Sequence, residues 1–211
     1  MAGPPPGPGR LPGGRLELYG DAKPRRVETV VFYDSITPDL GGNNRFVRPR
    51  ALVLDSAGGS IEEMIRSPLV EIRGETGNHR AADGTFDLSA VQSRFREVPV
   101  SGADPSLVSR GAVHIDSETL ALDTRHCRGV YERNVQIRQE GSGALEATCQ
   151  RLEVVWETGR KGLVSARALG SPVVFRFGEG NRAEVPELLL DFPSGRAVAP
   201  RGGTAVVRTN R

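Results

Sequence analysis

The sequence predicts an all-β fold, elongated and antiparallel, built from repeated hairpins. Three observations predict it. Apolar and polar residues alternate with a period of two through most of the chain from Leu16 to Val207. Turn clusters ("GETGN", "EGSG", "GEGN", "PSG", "PRGG") separate the alternating runs. Helix signals are confined to one short stretch. The composition agrees: of 211 residues, 37% are hydrophobic and 5% aromatic, which suits a core one or two β-layers deep better than a wide one.

The elements follow in chain order. Residues 1–14, "MAGPPPGPGRLPGG", read as a disordered Pro/Gly-rich segment, with no charged-then-apolar export signal. Residues 15–208 read as the β-domain. Its first half, 15–107, carries the strand-like runs "RLELYGDA", "ETVVFYDSI" and "RFVRPRALVLD". In "GGSIEEMIRSP", Ser60 and Glu63 have the spacing of a capping box and Pro68 ends the segment, so one helical turn competes with a degenerate strand. The second half, 108–208, alternates more cleanly. Val113 and Ile115, Val135 and Ile137, Leu152, Val154 and Trp156, Val173, Phe175 and Phe177, and Leu188, Leu190 and Phe192 each occupy one phase of a strand. At one strand and its turn per roughly 12 residues, the domain holds on the order of 14 to 17 strands.

A hairpin phrase recurs in residues 67–88, 109–123, 132–156 and 171–192. Each unit has one apolar face that it cannot bury alone, so stacked units form a continuous apolar stripe. That stripe fits two structures equally: a core filled by its own side chains, or a trough left for an apolar ligand.

Chemistry-bearing motifs are scarce. The net charge of +2 leaves no electrostatic footprint for nucleic acid. Of 28 basic residues, Lys23 and Lys161 are the only lysines; a GC-rich genome explains this excess of arginine, and anion recognition would need the arginines to cluster. Cys127 and Cys149 lack zinc spacing, and two cysteines do not establish a disulfide. His79, His114 and His126 are scattered, so no metal or cofactor is expected. Asp55, Asp123 and Asp191 end strands, where Asp most often forms turns. There is no G-x-S-x-G, P-loop or HExxH motif, and no enzyme is expected. No run is long and apolar enough for a membrane helix.

The segments "GVYERNVQIRQEGSGALEATCQRLEVVW", "SARALGSPVVFRF" and "AEVPELLLDF" resemble the OstA-like (LptA) family of lipopolysaccharide-transport proteins. The matching positions are Asn134, Val135, Ile137, Gln139, Leu145, Ala147, Leu152, Val154, Ala166, Gly170, Pro172, Val173 and Phe175, within residues 108–192. The resemblance implies a twisted antiparallel jelly roll, open along one side, working in the periplasm. Its trough would hold the acyl chains of lipopolysaccharide or a similar glycolipid and pass them along a protein bridge toward the outer membrane. LptC-like and LptD-like proteins would be its partners, with head-to-tail homo-oligomers formed through edge strands near residues 16–33 and 201–208. The lipid-binding residues would be Val113, Ile115, Leu120, Leu122, Val135, Ile137, Leu152, Val154, Trp156, Val173, Phe175, Phe177, Leu188 and Leu190. The alternative is a β-solenoid or sandwich with a self-filled core, acting as a scaffold or carbohydrate-binding module.

Overall fold

The computed structural model describes residues 10–20, 26–55, 59–96, 111–141, 145–157, 162–177, 180–194 and 196–206. They form fourteen strands and one short helix. In order these are β1 (Leu11–Tyr19), β2 (Val27–Pro38), β3 (Asn44–Val47), β4 (Arg50–Val53), α1 (Ile61–Arg66), β5 (Val70–Arg73), β6 (Thr76–Arg80) and β7 (Thr85–Phe95). Then come β8 (Val113–Asp123), β9 (Arg128–Gln139), β10 (Glu146–Glu157), β11 (Gly162–Phe177), β12 (Asn181–Asp191), β13 (Arg196–Val198) and β14 (Thr204–Val206). β1 opens ahead of residue 15, inside the segment expected to be disordered; residues 1–9 and 207–211 lie outside the described residues.

All fourteen strands join one sheet. The path β13-β12-β11-β10-β9-β8-β7-β5-β4-β2-β3-β6 returns to β7 through the β6–β7 pairing, while β1 pairs with β2 and β14 with β12. Six strands therefore close a barrel-like ring, with the rest attached as an extended sheet. The closure has a local origin. The first half of β2 pairs with β4 (Thr29↔Val53) and its second half with β3 (Ser35↔Val47). β7 likewise pairs with β6 through Thr85–Ser89 and with β5 through Gln92–Phe95. β4 and β5 pair on one level, β3 and β6 on the other. This corrects the expectation of a jelly roll open along one side.

The interruption that splits β3 from β4 and β5 from β6 runs across the sheet as a crease. Arg48 has a φ of 48° and Pro49 has no N–H to give to a ladder. At the same level the Arg48 N–H donates to Glu75 O, and the Gly74 N–H donates to Pro49 O. The crease continues through Ala90 in β7 (φ 48°), the register break between Asp116 and Thr119 in β8, and Arg133 and Asn134 in β9 (φ 65° and 52°). It goes on between Cys149 and Arg151 in β10, and between Leu169 and Val173 in β11, opposite Pro186 of β12.

Each break inserts residues, and burial shows why. In β8 the buried positions are Val113 and Ile115 before the break, then Leu120 and Leu122 after it. β10 moves from Ala147 and Cys149 to Leu152, Val154 and Trp156; β7 moves from Phe86 and Leu88 to Val91, Ser93 and Phe95. An inserted residue shifts the parity of the alternation, so the same face points inward on both sides of the bend. β9 inserts Arg133 and Asn134 together and keeps its parity, with Tyr131 and Val135 both buried.

The bend brings the two halves of the sheet face to face. β7 and β10 are separated by β8 and β9, about 14 Å at the spacing of neighbouring strands. The rings of Phe95 and Trp156 nonetheless stand 6.0 Å apart, from opposite sides of the crease. One apolar cluster runs from Val31 and Phe46 through Ile72, Phe95 and Trp156 to Leu190 and Phe192. A second, small cluster lies on the outer face, where Val27, Val30, Leu52 and Leu54 pack against Ile61, Met64 and Ile65 of α1. A six-residue helix is marginal alone. This one has the expected capping box: the Ser60 N–H donates to Glu63 Oε2 at 2.8 Å and the Glu63 N–H donates to Ser60 Oγ.

Two changes test this construction. Asn134→Val should cost about 1–2 kcal/mol more than Asn134→Gly, because a β-branched side chain opposes the left-handed backbone; urea midpoints measure the difference. Phe95→Ala should cost about 3–5 kcal/mol by opening a cavity between the layers, and an unchanged midpoint would mean that the layers do not depend on that contact.

Candidate functional site

The interior was the expected site. Val113, Ile115, Leu120, Leu122, Val135, Ile137, Leu152, Val154, Trp156, Val173, Phe175, Leu188 and Leu190 all lie in the main apolar cluster. The most exposed of them, Phe175, shows only 8% of its surface. Phe177 is in β11 opposite Asn181, and its side chain lies outside the described residues. The structure thus brings the described candidates together, but in one cluster with one another and with Phe46, Phe86, Phe95 and Ile72 of the barrel strands. A lipid trough needs apolar surface turned toward empty space. Here that surface is used by the protein's own side chains, which corrects the lipopolysaccharide-binding expectation.

The core also carries polar atoms. The Tyr131 hydroxyl, the Ser93 hydroxyl and the Trp156 Nε1 are buried with no hydrogen-bond partner within normal distance. Burial pushes the Tyr131 phenol pKa upward, with the Ser93 hydroxyl pulling the other way. Burial likewise raises the Cys149 thiol to about 12, which makes it a poor nucleophile. Cys127 is partly buried, and the two cysteines are not joined in a disulfide.

The strand-end aspartates act locally. Asp123 accepts from the His126 N–H at 3.0 Å and touches the imidazole Nδ1 at 2.7 Å. Burial pushes its carboxyl up, but the His126 and Arg125 contacts outweigh this and hold it below the usual carboxylate range. Asp191 accepts from the Ser194 N–H, and Asp55 pairs with Arg96 at 3.7 Å. Among the described residues, no three His, Cys, Asp or Glu side chains come together as a metal site.

One end of the fold, where β1 and the start of β2 face the β6–β7 and β8–β9 turns, is polar. Thr29 and His79 are 1% and 5% exposed there, and the His79 ring lies 4.6 Å from that of Phe86. Burial lowers the His79 pKa below its ordinary 6.5, Asp83 opposing the shift and Arg125 adding to it. The sequence pattern signalled His79 only through its phase, two residues from the inward Gly77, and it did not signal Thr29.

No family model matches this chain, and no curated protein matches it. Together with the closed pairing ring, this corrects the resemblance to the OstA-like family. No helix among the described residues is long and apolar enough to cross a membrane.

Two measurements check the chemistry of these groups. A thiol reagent should modify Cys127 in the native protein and reach Cys149 only on unfolding; equal rates would contradict the burial of Cys149. For His79, the unfolded chain binds its proton first as pH falls. The stability that neutral His79 contributes is therefore fully present above its unfolded pKa and is lost as pH falls through the lower folded value. His79→Gln should flatten the fall in urea midpoint between about pH 7 and pH 5.

Proposed function

We propose that this chain is a non-catalytic scaffold module that joins other chains through its uncovered strand edges. The observation that carries the reading is a self-filled interior combined with two edges that, among the described residues, have no further strand beside them. At one end β1 pairs with β2 along eight register positions and offers its other side. At the other end, β13 and β14 cover β12 by three register positions each. Uncovered edges are templates for adding a strand from another chain. The β13 edge is bordered by outward apolar residues, with Val155, Leu189 and Val198 36% to 52% exposed. Head-to-tail association of copies, β1 of one against β13 and β14 of the next, is the assembly this favours. A periplasmic site of action belongs to the same proposal; the shielded thiol of Cys149 is suited to an oxidising compartment.

Light scattering after size exclusion, over a concentration series reaching the millimolar range, tests the reading. Mass should rise with concentration, and Val198→Glu, which places a charge among the exposed apolar residues bordering the β13 edge, should reduce the rise. A strict monomer at the highest concentration would overturn the proposal.

A further inference from the structure

The outer face of the sheet, toward its β13 end, carries a groove of about 550 Å³ whose wall includes Val155, Leu189 and Val198. We infer that it is a docking site for an acidic amphipathic helix of another protein, an inference independent of the edge-pairing proposal because it concerns a face and not an edge. The placement follows from register. Arg128, Val155, Ser165, Asp191 and Arg196 stand directly across from one another on β9 to β13. The parallel row two residues along is Glu153, Arg167, Leu189 and Val198 on β10 to β13. Their chain neighbours Val154, Trp156, Ala166, Leu188 and Leu190 are buried in the main cluster, so both rows face outward. Of the six large apolar side chains exposed among the described residues, three are Val155, Leu189 and Val198.

The fold itself shows what covers such a surface. The outward residues Val27, Val30, Leu52 and Leu54 lie under α1, which packs Ile61, Met64 and Ile65 on them and carries Glu62 and Glu63 in its first turn. Val155, Leu189 and Val198 have no such helix over them among the described residues. They are spread across the strands, on β10, β12 and β13, over about 14 Å. A strand added along β13 would reach Val198 alone, whereas a helix laid across the strands spans that distance with about ten residues. Charge sets the sign of the partner. Glu153 accepts from Arg128 at 3.3 Å and from Arg151 at 3.0 Å, while Arg167 and Arg201 both pair with Glu187. Arg196 is exposed and has no ion pair among the described residues. Arginine thus outnumbers carboxylate around the groove, which leaves guanidinium donors for the carboxylates of a partner.

The test adds an end-capped helical peptide of about 14 residues, made of Leu and Glu with its leucines three and four positions apart, to the full chain. The amides of Val155, Leu189 and Val198 are followed by NMR. They should shift saturably, and the same peptide with Lys for Glu should bind roughly tenfold more weakly. Arg196→Glu should lower the affinity severalfold, whereas Arg45→Glu, an equal change of charge at an exposed position of β3, should leave it unchanged. Val155→Thr combined with Leu189→Thr keeps a strand-compatible β-branch at both positions and removes apolar surface. Its affinity should fall roughly tenfold with the urea midpoint unmoved. The inference is overturned if the peptide gives no saturable shift, if the lysine peptide binds as tightly, if Arg45→Glu weakens binding as much as Arg196→Glu, or if the double variant binds like the native chain. It is equally overturned if phosphatidylglycerol vesicles and not the peptide shift these amides, which would make the occupant a membrane. A shift of the Val155 amide on concentrating the chain alone would make it a second copy, with the same consequence.

Discussion

A single sheet with one apolar face must cover that face, and here it does so by bending across the middle of its own strands. A bend alone would fail, because a break in a period-two strand sends the following side chains to the wrong face. The inserted residues at each break prevent this. Ile115 and Leu120 in β8, and Cys149 and Leu152 in β10, face the same interior although their numbering changes parity. Because the breaks lie side by side from Pro49 to Pro186, they act as one crease. The closed ring, the filled core and the polar mouth all follow from it.

The outer face follows a different rule. It is laced with ion pairs between neighbouring strands: Arg50 with Glu71, Arg138 with Asp116, and Arg151 with Glu132. Exposed pairs of this kind add little stability. Opposite charges placed across from one another do favour one register over its neighbours. The arginine-rich composition is accounted for in part by these pairings, with the guanidiniums distributed over carboxylates along the sheet. Glu187, itself buried, meets Arg167 at 2.7 Å and Arg201 at 3.2 Å and so ties the β13–β14 connection back to β12.

The filled core and the uncovered edges have opposite functional meanings. Burial of Val135, Ile137, Val173 and Phe175 removes the surface that a lipid would have needed. Among the described residues, β1 pairs with β2 alone and β13 and β14 with β12 alone, so one side of each has no strand beside it.

The sequence alone determined the strand content, the phase of each run, the capping box at Ser60 and Glu63, and the turn-forming aspartates Asp123 and Asp191. Each of these is local: a period of two, a three-residue spacing or a side chain reaching the next few N–H groups settles it. Only the tertiary structure decided that the apolar face closes on itself. The alternation of Val173 and Phe175 is the same whether the opposing layer is a lipid or the protein's own side chains. What distinguishes the two is contact between residues far apart in sequence, such as Phe95 with Trp156, made possible by breaks that coincide across neighbouring strands. The meeting of Thr29, His79 and Arg125 at the mouth is of the same kind, because it joins three segments that no local pattern relates.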